Sequence, residues 1–304
     1  MYIIKSILIV SIFALFANAT TQEIKTIAFA QDDLSNDFRK AQVFEVRDSA
    51  AKYPHLKFIY SNAKGQTSLM IRQIEKFIAQ KVDLIIVGTN DEKAIVPVID
   101  KAYKLGIGVI ILDRGIKGSN YSSFLHSDNV MIGSIGAEYI AKRLNGKGRV
   151  LLLEGLQKAD VTKLRSKGFM DIISQYPDIE VVKMVGNYLR KDTIVAMEKF
   201  IADGKEVDAI FSESDSMLSG VRSAQIHHGI DPASIITVGC DYTSEAQRAI
   251  GKGQQSASIL FPLGGVQSVE TALKIFAKEK VPKDILIPVQ LVTDKNYKEI
   301  KPIF

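Results

Sequence analysis

The chain predicts an α/β protein with parallel sheets, built as two similar lobes, and three observations carry that expectation. Short β-branched runs alternate with amphipathic helical segments from Thr26 onward. Leu84–Val87 and Val109–Leu112 are uninterrupted apolar runs, as strands covered on both faces require. Four strand–helix units precede about Ser127 and four follow, which fits two lobes better than one sheet of ten strands. No long Gly/Pro/Ser linker separates the halves, so short β-type crossovers are expected rather than a flexible tether.

Thr26–Ala30 reads as the first strand, followed by a helix from Asp37 to about Lys52 with Ser35 or Asn36 as its cap. Leu56–Tyr60 is the next strand. The helix after it carries Ile71, Ile74, Phe77 and Ile78, one apolar stripe at helical spacing. Leu84–Val87, a helix around Glu92–Leu105 and the strand Val109–Leu112 come next, then a helix bearing Ile132, Ile135, Tyr139 and Ile140. The second half repeats the rhythm with strands Val150–Leu153, Ile179–Val185, Ala209–Phe211, Ile235–Cys240 and Ser256–Leu260. Its helices fall near Thr162–Gln175, Lys191–Asp203, Ser216–His228 and Leu263–Ala277, with Gly229 placed as a C-cap for Ser216–His228.

At 304 residues, 46% apolar and 24% charged, the chain can bury a substantial core and has neither a disordered nor a polytopic membrane composition. Its net charge of +5 comes from scattered lysines, without the concentrated basic stripe that a nucleic-acid partner wants. The single Cys240 excludes an intrachain disulfide framework and a Cys-rich metal site. Ser6–Phe16 is an apolar run after Lys5, and Ala17-Asn18-Ala19 is an A-x-A site, so residues 1–19 are expected to be a cleaved secretory signal. Ser6 to Ala19 would span about 21 Å as a helix, too short for a hydrocarbon core of roughly 30 Å. No cysteine lies near the cleavage point for lipid attachment. The mature chain is expected to start at Thr20 and to work in the periplasm.

In open α/β sheets, ligands bind beyond the carboxyl ends of the strands. Asp113-Arg114, Ser214-Asp215 and Asp241 stand at such ends, and Asn36-Asp37-Phe38-Arg39 follows the first strand. A carboxylate accepts from neighbouring hydroxyls, a guanidinium donates to ring or hydroxyl oxygens, and an aromatic ring stacks on the aliphatic face of a sugar. These residues therefore suit a polyol. Each also has a plainer role. Asp113 and Asp241 could cap the following helix, Phe38 could be a core or staple residue, and Arg165 a solvated helix charge. Asp215 reads as a helix-start residue. His227-His228 reads as a solvated helix end, His55 and His126 lack metal-ligand spacing, and Cys240 reads as an inert small hydrophobe. No metal or cofactor is expected.

Ile27–Phe38, Val109–Arg114, Ser127-Asp128-Asn129, Gly155–Phe169, Phe211–Gly220 and Val238–Asp241 occur in the order and spacing of a known group. Together with the closing Leu291–Asn296, they make residues 25–297 resemble the type I periplasmic sugar-binding proteins, the ribose-, galactose- and galactofuranose-binding components of ABC importers. The resemblance implies two Rossmann-like lobes with parallel sheets joined by three hinge strands. The N-terminal lobe would be 20–127 plus 261–289, and the C-terminal lobe 128–260 plus 290–304. It places ligand contacts on Phe38, Arg39, Asp113, Arg114, Arg165, Tyr188 and Asp241, with Ser214 where sugar binders usually carry Asn. Phe38-Arg39 is similar to the aromatic–Arg pair of the galactofuranose branch. Gly88-Thr89 replaces the Asn-Pro of ribose binders, and Leu260-Phe261-Pro262 lacks the polar residue that would top the pocket.

The implied function is capture of a small furanose- or pentose-like sugar for a membrane permease of an ABC importer, by a monomer that closes on its ligand. The alternative is a receptor for a sugar or furanosyl autoinducer that signals to a chemoreceptor or sensor kinase. Ser214-Asp215 and Asn36-Asp37-Phe38 are similar to the autoinducer binder. Counting three arginines against two aspartates in the expected pocket leaves room for a mildly anionic ligand. An enzyme is disfavoured: there is no G-x-x-x-x-G-K-[ST], G-x-S-x-G or H-E-x-x-H, and Gly106-Ile107-Gly108 precedes a strand instead of a strand–helix turn.

Overall fold

The computed structural model describes residues 23–304, so the expected signal segment 1–19 lies outside the described residues. In chain order the first half contains β1 (Lys25–Gln31), α1 (Asp37–Ala50), β2 (Leu56–Asn62), α2 (Thr67–Ala79), β3 (Leu84–Gly88), α3 (Val96–Lys104), β4 (Gly108–Leu112) and β5 (Ser123–His126). The second contains α4 (Asn129–Arg143), β6 (Lys147–Glu154), α5 (Asp160–Ile173), β7 (Asp178–Val185), α6 (Arg190–Ala202), β8 (Ala209–Ser212), α7 (Asp215–His227), β9 (Ile236–Asp241), α8 (Ser244–Gly251) and β10 (Ala257–Leu260). The chain ends with α9 (Gly265–Phe276), β11 (Asp284–Leu286) and β12 (Gln290–Thr293).

Two six-stranded sheets result, in the orders β11-β5-β4-β3-β1-β2 and β12-β10-β9-β8-β6-β7. Every pairing is parallel except β10 with β12. The chain passes between the sheets three times, through residues 127–128, 261–264 and 287–289, all outside the strand ladders. The parallel strands are joined by crossovers that carry helices, except the loop from β4 to β5, and those helices cover both faces. In β3 and β4, Ile85, Val87, Val109 and Ile111 pack under α2 and α3. The alternate residues Leu84, Ile86, Ile110 and Leu112 pack under α1 and α9. Each such side chain, fully withdrawn from water, contributes roughly 1.5–3 kcal/mol.

Five elements depart from the sequence expectation. Ser123–His126 and Asp284–Leu286 pair with each other at one end of the first sheet. They are too short and too mixed in polarity to show an apolar run. The β12 strand is likewise a four-residue edge. Helix α8 spans only two turns, capped by Thr243 Oγ1, which accepts from the Ala246 N–H at 3.1 Å. The helix expected from Glu92 begins instead at Val96, with Pro97 in its first turn, where the missing N–H is unneeded.

One packing contact positions the site directly. Helices α4 and α5 cross at Gly133 and Gly168. A Cβ at Gly133 would lie 2.0 Å from the Arg165 carbonyl oxygen, and one at Gly168 would lie 2.0 Å from that of Val130. The obstacle in both cases is backbone, which cannot swing aside. The close crossing lets Asn129, in the first turn of α4, reach the Arg165 guanidinium. Gly168→Ala should therefore destabilise the protein by about 1–3 kcal/mol in urea unfolding, as overpacking does. This is despite alanine's better intrinsic helix propensity, about 1 kcal/mol. Unchanged or raised stability would show that the helices separate freely.

Candidate functional site

The carboxyl ends of the two sheets face each other across a narrow cavity of about 20 Å³. Phe38, Arg39, Asp113, Arg114, Arg165, Tyr188, Ser214 and Asp241 all line it, so one site gathers every residue expected there. Two wider grooves, one along α1 and the C-terminal Phe304 and one beside α6, are open and lack such convergence of buried charge.

On the first sheet's side the site begins with a helix cap. Asn36 Oδ1 accepts from the Arg39 N–H at 2.9 Å, which starts α1 and turns Phe38 and Arg39 toward the cleft. Arg39 Nη1 lies 3.0 Å from Asp113 Oδ2, and its Nε lies 3.6 Å from Asp32 Oδ1. The other Asp32 oxygen, Oδ2, accepts from Arg114 Nη1 at 3.1 Å, and Arg114 also donates to Asn90 Oδ1. Gln42 Oε1 accepts from Arg39 Nη1 at 3.1 Å and so steadies the guanidinium from behind. Burial, then the neighbouring charge of Arg39, pushes the Arg114 guanidinium down from its ordinary value, though a guanidinium stays protonated in any protein setting.

Asp32 was not foreseen from the sequence. It stands one residue past β1, at the same kind of strand end that singled out Asp113, so that rule applied evenly would have found it. The cavity lining itself keeps the three arginines and two aspartates counted from the sequence; Asp32, behind the wall, pairs with Arg39 and Arg114 and offsets their excess charge.

On the second sheet's side, Arg165 is buried in α5 and is not a solvated helix charge. Its Nε donates to Asn129 Oδ1 at 2.9 Å and its Nη1 to the Glu213 carbonyl at 2.6 Å. Its guanidinium lies 4.6 Å from the centre of the Phe261 ring, which stacks on Phe38 at 5.1 Å. The crossover segment that lacks a polar residue thus supplies an aromatic wall instead. Tyr188 shares a hydrogen bond with Thr162 Oγ1 at 2.8 Å, and Arg114 lies 5.5 Å from its ring centre. Burial raises the Tyr188 phenol and the Cys240 thiol well above their ordinary values, so both stay protonated. Burial also pushes the Asp241 carboxyl well up, with the Arg165 charge pulling it back.

Asp113, Tyr188 and Asp241 carry φ values of 70°, 61° and 110°. Left-handed backbone at a non-glycine residue costs on the order of 1–3 kcal/mol and gathers at functional sites. Neither aspartate is a helix cap. Ser214 is one: its Oγ accepts from the Met217 N–H at 3.2 Å while the residue also borders the cavity. Glu198, His227 and His228 come within 4.8 Å of one another at a surface helix end, and none of them lines the cavity.

Asp215 does more than start a helix. Its Oδ2 accepts from the Tyr242 N–H at 2.7 Å and from Ser258 Oγ at 2.7 Å, and its Oδ1 accepts from Gln255 Nε2 at 2.8 Å. This buried clamp holds the turn that carries Asp241, and burial pushes the carboxyl up to about 6. Asp215→Ala should therefore cost more than the roughly 0.5–2 kcal/mol of a lost cap, because buried donors are left unpaired. A loss below about 2 kcal/mol in urea unfolding would contradict this.

A family model described as "Periplasmic binding protein domain" matches residues 27–280. The ribose import binding protein of Bacillus subtilis is 28% identical over 92% of this chain and 90% of its own. The galactofuranose-binding protein of Escherichia coli is 27% identical over 96% of this chain and 93% of its own. An ABC transporter solute-binding protein from Bacillus halodurans, solved with bound myo-inositol, superposes with a TM-score of 0.85 at 28% identity, covering 92% of this chain and 98% of that one. With its two parallel-sheet halves and the charged cavity between them, this chain belongs to the periplasmic binding protein family.

Proposed function

We propose that this protein captures a neutral, one-ring polyol of the furanose or pentose class between its two halves and delivers it to the permease of an ABC importer. One observation carries the ligand class. Arg39 Nε and Nη2, Asp113 Oδ1 and Arg114 Nε are buried without a hydrogen-bond partner, all in side chains that line the cavity. Buried polar atoms are costly unless paired, and a ring bearing several hydroxyls offers both donors and acceptors to such a set. The balance of three arginines by Asp32, Asp113 and Asp241 favours a neutral ligand. Phe38 and Phe261 supply faces for the apolar side of the ring. The relatives named for ribose and galactofuranose, and the neighbour holding myo-inositol, point the same way.

In this reading 20–127 with 261–289 and 128–260 with 290–304 are the bodies that close, hinged at the three crossings. Direct polar ties join them. Asn36 Nδ2 donates to the Tyr188 carbonyl at 2.9 Å, the Gly115 N–H to Asp160 Oδ2 at 2.7 Å, and Ser216 Oγ to Asp37 Oδ2 at 3.3 Å. The protein would be exported by its N-terminal signal and act as a periplasmic monomer without catalysis. A sensing role is the second reading, favoured by a structural neighbour that is the fructose-binding periplasmic domain of a hybrid two-component system, 25% identical with a TM-score of 0.83.

Mass spectrometry of ligand released from the purified protein, followed by calorimetry with D-ribose, L-arabinose, D-galactose and myo-inositol, tests the proposal. Asp113→Asn and Asp241→Asn should each weaken binding by about 10- to 150-fold, the worth of a charged hydrogen bond of roughly 1.5–3 kcal/mol. Asp113→Asn should fall at the upper end, because it also removes the 3.0 Å partner of Arg39. Asp241→Asn should fall at the lower end, because no arginine pairs directly with Asp241 among the described residues and the amide still accepts one hydrogen bond. Stabilisation by amino acids alone, or unchanged affinity in both variants, would reject the proposal.

A further inference from the structure

Glu213 lies behind the cavity, fully buried one residue past β8, and does not line it. It nevertheless supports two groups that do. Its backbone carbonyl accepts from Arg165 Nη1, and its Oε2 accepts from Tyr188 Oη at 3.2 Å and from the Gly155 N–H at 2.8 Å. Its other oxygen, Oε1, lies 2.9 Å from Ser166 Oγ, and Ser166 Oγ lies 2.9 Å from Glu154 Oε1 as well.

Proton counting then constrains the set. A serine hydroxyl has one proton and two acceptor sites, while an ionised carboxylate only accepts. Ser166 cannot donate to both carboxylates at once. The arrangement closes only when one carboxyl is protonated and donates to Ser166 Oγ, while Ser166 donates to the other. Glu154 is the natural anion, because Lys183 Nζ lies 3.0 Å from its Oε1. No cation lies within ion-pairing distance of the Glu213 carboxyl among the described residues. The nearby Arg165 spends its donors on the Glu213 carbonyl and on Asn129.

We propose that Glu213 is held as a neutral carboxylic acid up to near-neutral pH and acts as a positioning residue, donating from Oε1 to Ser166 while its Oε2 accepts from Tyr188 and holds it toward the cavity. The functional part of this inference rests on the polyol-site reading above; the protonation state does not. Burial acts in the same direction and pushes this carboxyl up to about 7. The titratable and charged groups around it are Glu154 on β6, Lys183 on β7, Arg165 on α5, Tyr188 before α6, Asp215 on α7, and Cys240 and Asp241 on β9. The sign follows from linkage. The folded-state value lies above the ordinary one, so the stability from this proton is complete below the ordinary carboxylate range. It is lost as pH rises through about 7.

The test uses the unliganded full chain, so its failure is separate from a wrong ligand class. Infrared difference spectra between pH of about 6 and about 9 should show a protonated-carboxyl C=O component that disappears near neutrality, and the parent-minus-variant difference should show that component lost in Glu213→Gln, beside any contribution from Asp215 and Asp241. The amide keeps both a donor for Ser166 and an acceptor for Tyr188. The variant should therefore fold, and its melting temperature should fall less steeply with pH than that of the parent. The near-ultraviolet tyrosine signal that Tyr188→Phe removes should titrate with the same midpoint in the parent and stay flat in Glu213→Gln. A purely structural Glu213 would not move that signal. Absence of any carboxyl band titrating near neutrality in the parent overturns the proposal, whether or not the variant folds. So does a carboxyl band of undiminished intensity, or an unchanged tyrosine titration, in Glu213→Gln.

Discussion

Three guanidinium groups buried within one cleft are the constraint on which the rest of this structure depends. Arg39, Arg114 and Arg165 are each less than one-tenth exposed. Withdrawing such a charge from water costs several kcal/mol unless it is paired and hydrogen-bonded. Each is handled differently. Arg39 sits between Asp32 and Asp113, Arg114 shares Asp32 and takes Asn90, and Arg165 uses a side-chain amide, a backbone carbonyl and the face of Phe261. The partners come from the segments after β1, β3, β4, β8 and β10 and from α4, so the charges work only when both sheets and the α4–α5 crossing are in place.

The backbone contributes its own constraint. Asp113, Tyr188 and Asp241 leave their elements in left-handed conformations, which re-aim their side chains into the cleft. The surrounding structure holds each one. The Asp113 N–H donates to the Leu125 carbonyl at 2.8 Å, Tyr188 is tied through its carbonyl to Asn36, and Asp215 clamps the turn that follows Asp241. A carboxylate two or three bonds from the cavity wall can therefore be as necessary as one that borders it.

Much of this was legible in advance, for identifiable reasons. The apolar runs of β3 and β4 and the stripe of α2 announce buried strands and an amphipathic helix, and strand ends announce Asp113 and Asp241. Arg165 is different. Nothing in its local sequence separates it from a solvated helix charge, and only the ordered series of motifs placed it in the cleft. Asp32 and Asp215 escaped because each looks like an ordinary loop or helix-start carboxylate. Their roles arise from groups distant in the chain: Arg114 for the first, Ser258 and Gln255 for the second. The short strands β5, β11 and β12 escaped because three or four residues leave no period to detect.

Sequence by itself determined the α/β class, the doubling into two halves, the short crossovers and the eight side chains that meet in one cavity. Those features follow from local periodicity, from chain-end chemistry at strands and from motif order, all of which are written along the chain. Tertiary structure alone decided the charge balance of the cleft, the aromatic wall at Phe261, the clamp at Asp215 and the single proton that Ser166 can offer to two carboxyls. Each of these is a relation between groups tens of residues apart, and hydrogen-bond capacity and net charge have meaning only once the folded backbone has brought those groups within about 3 Å.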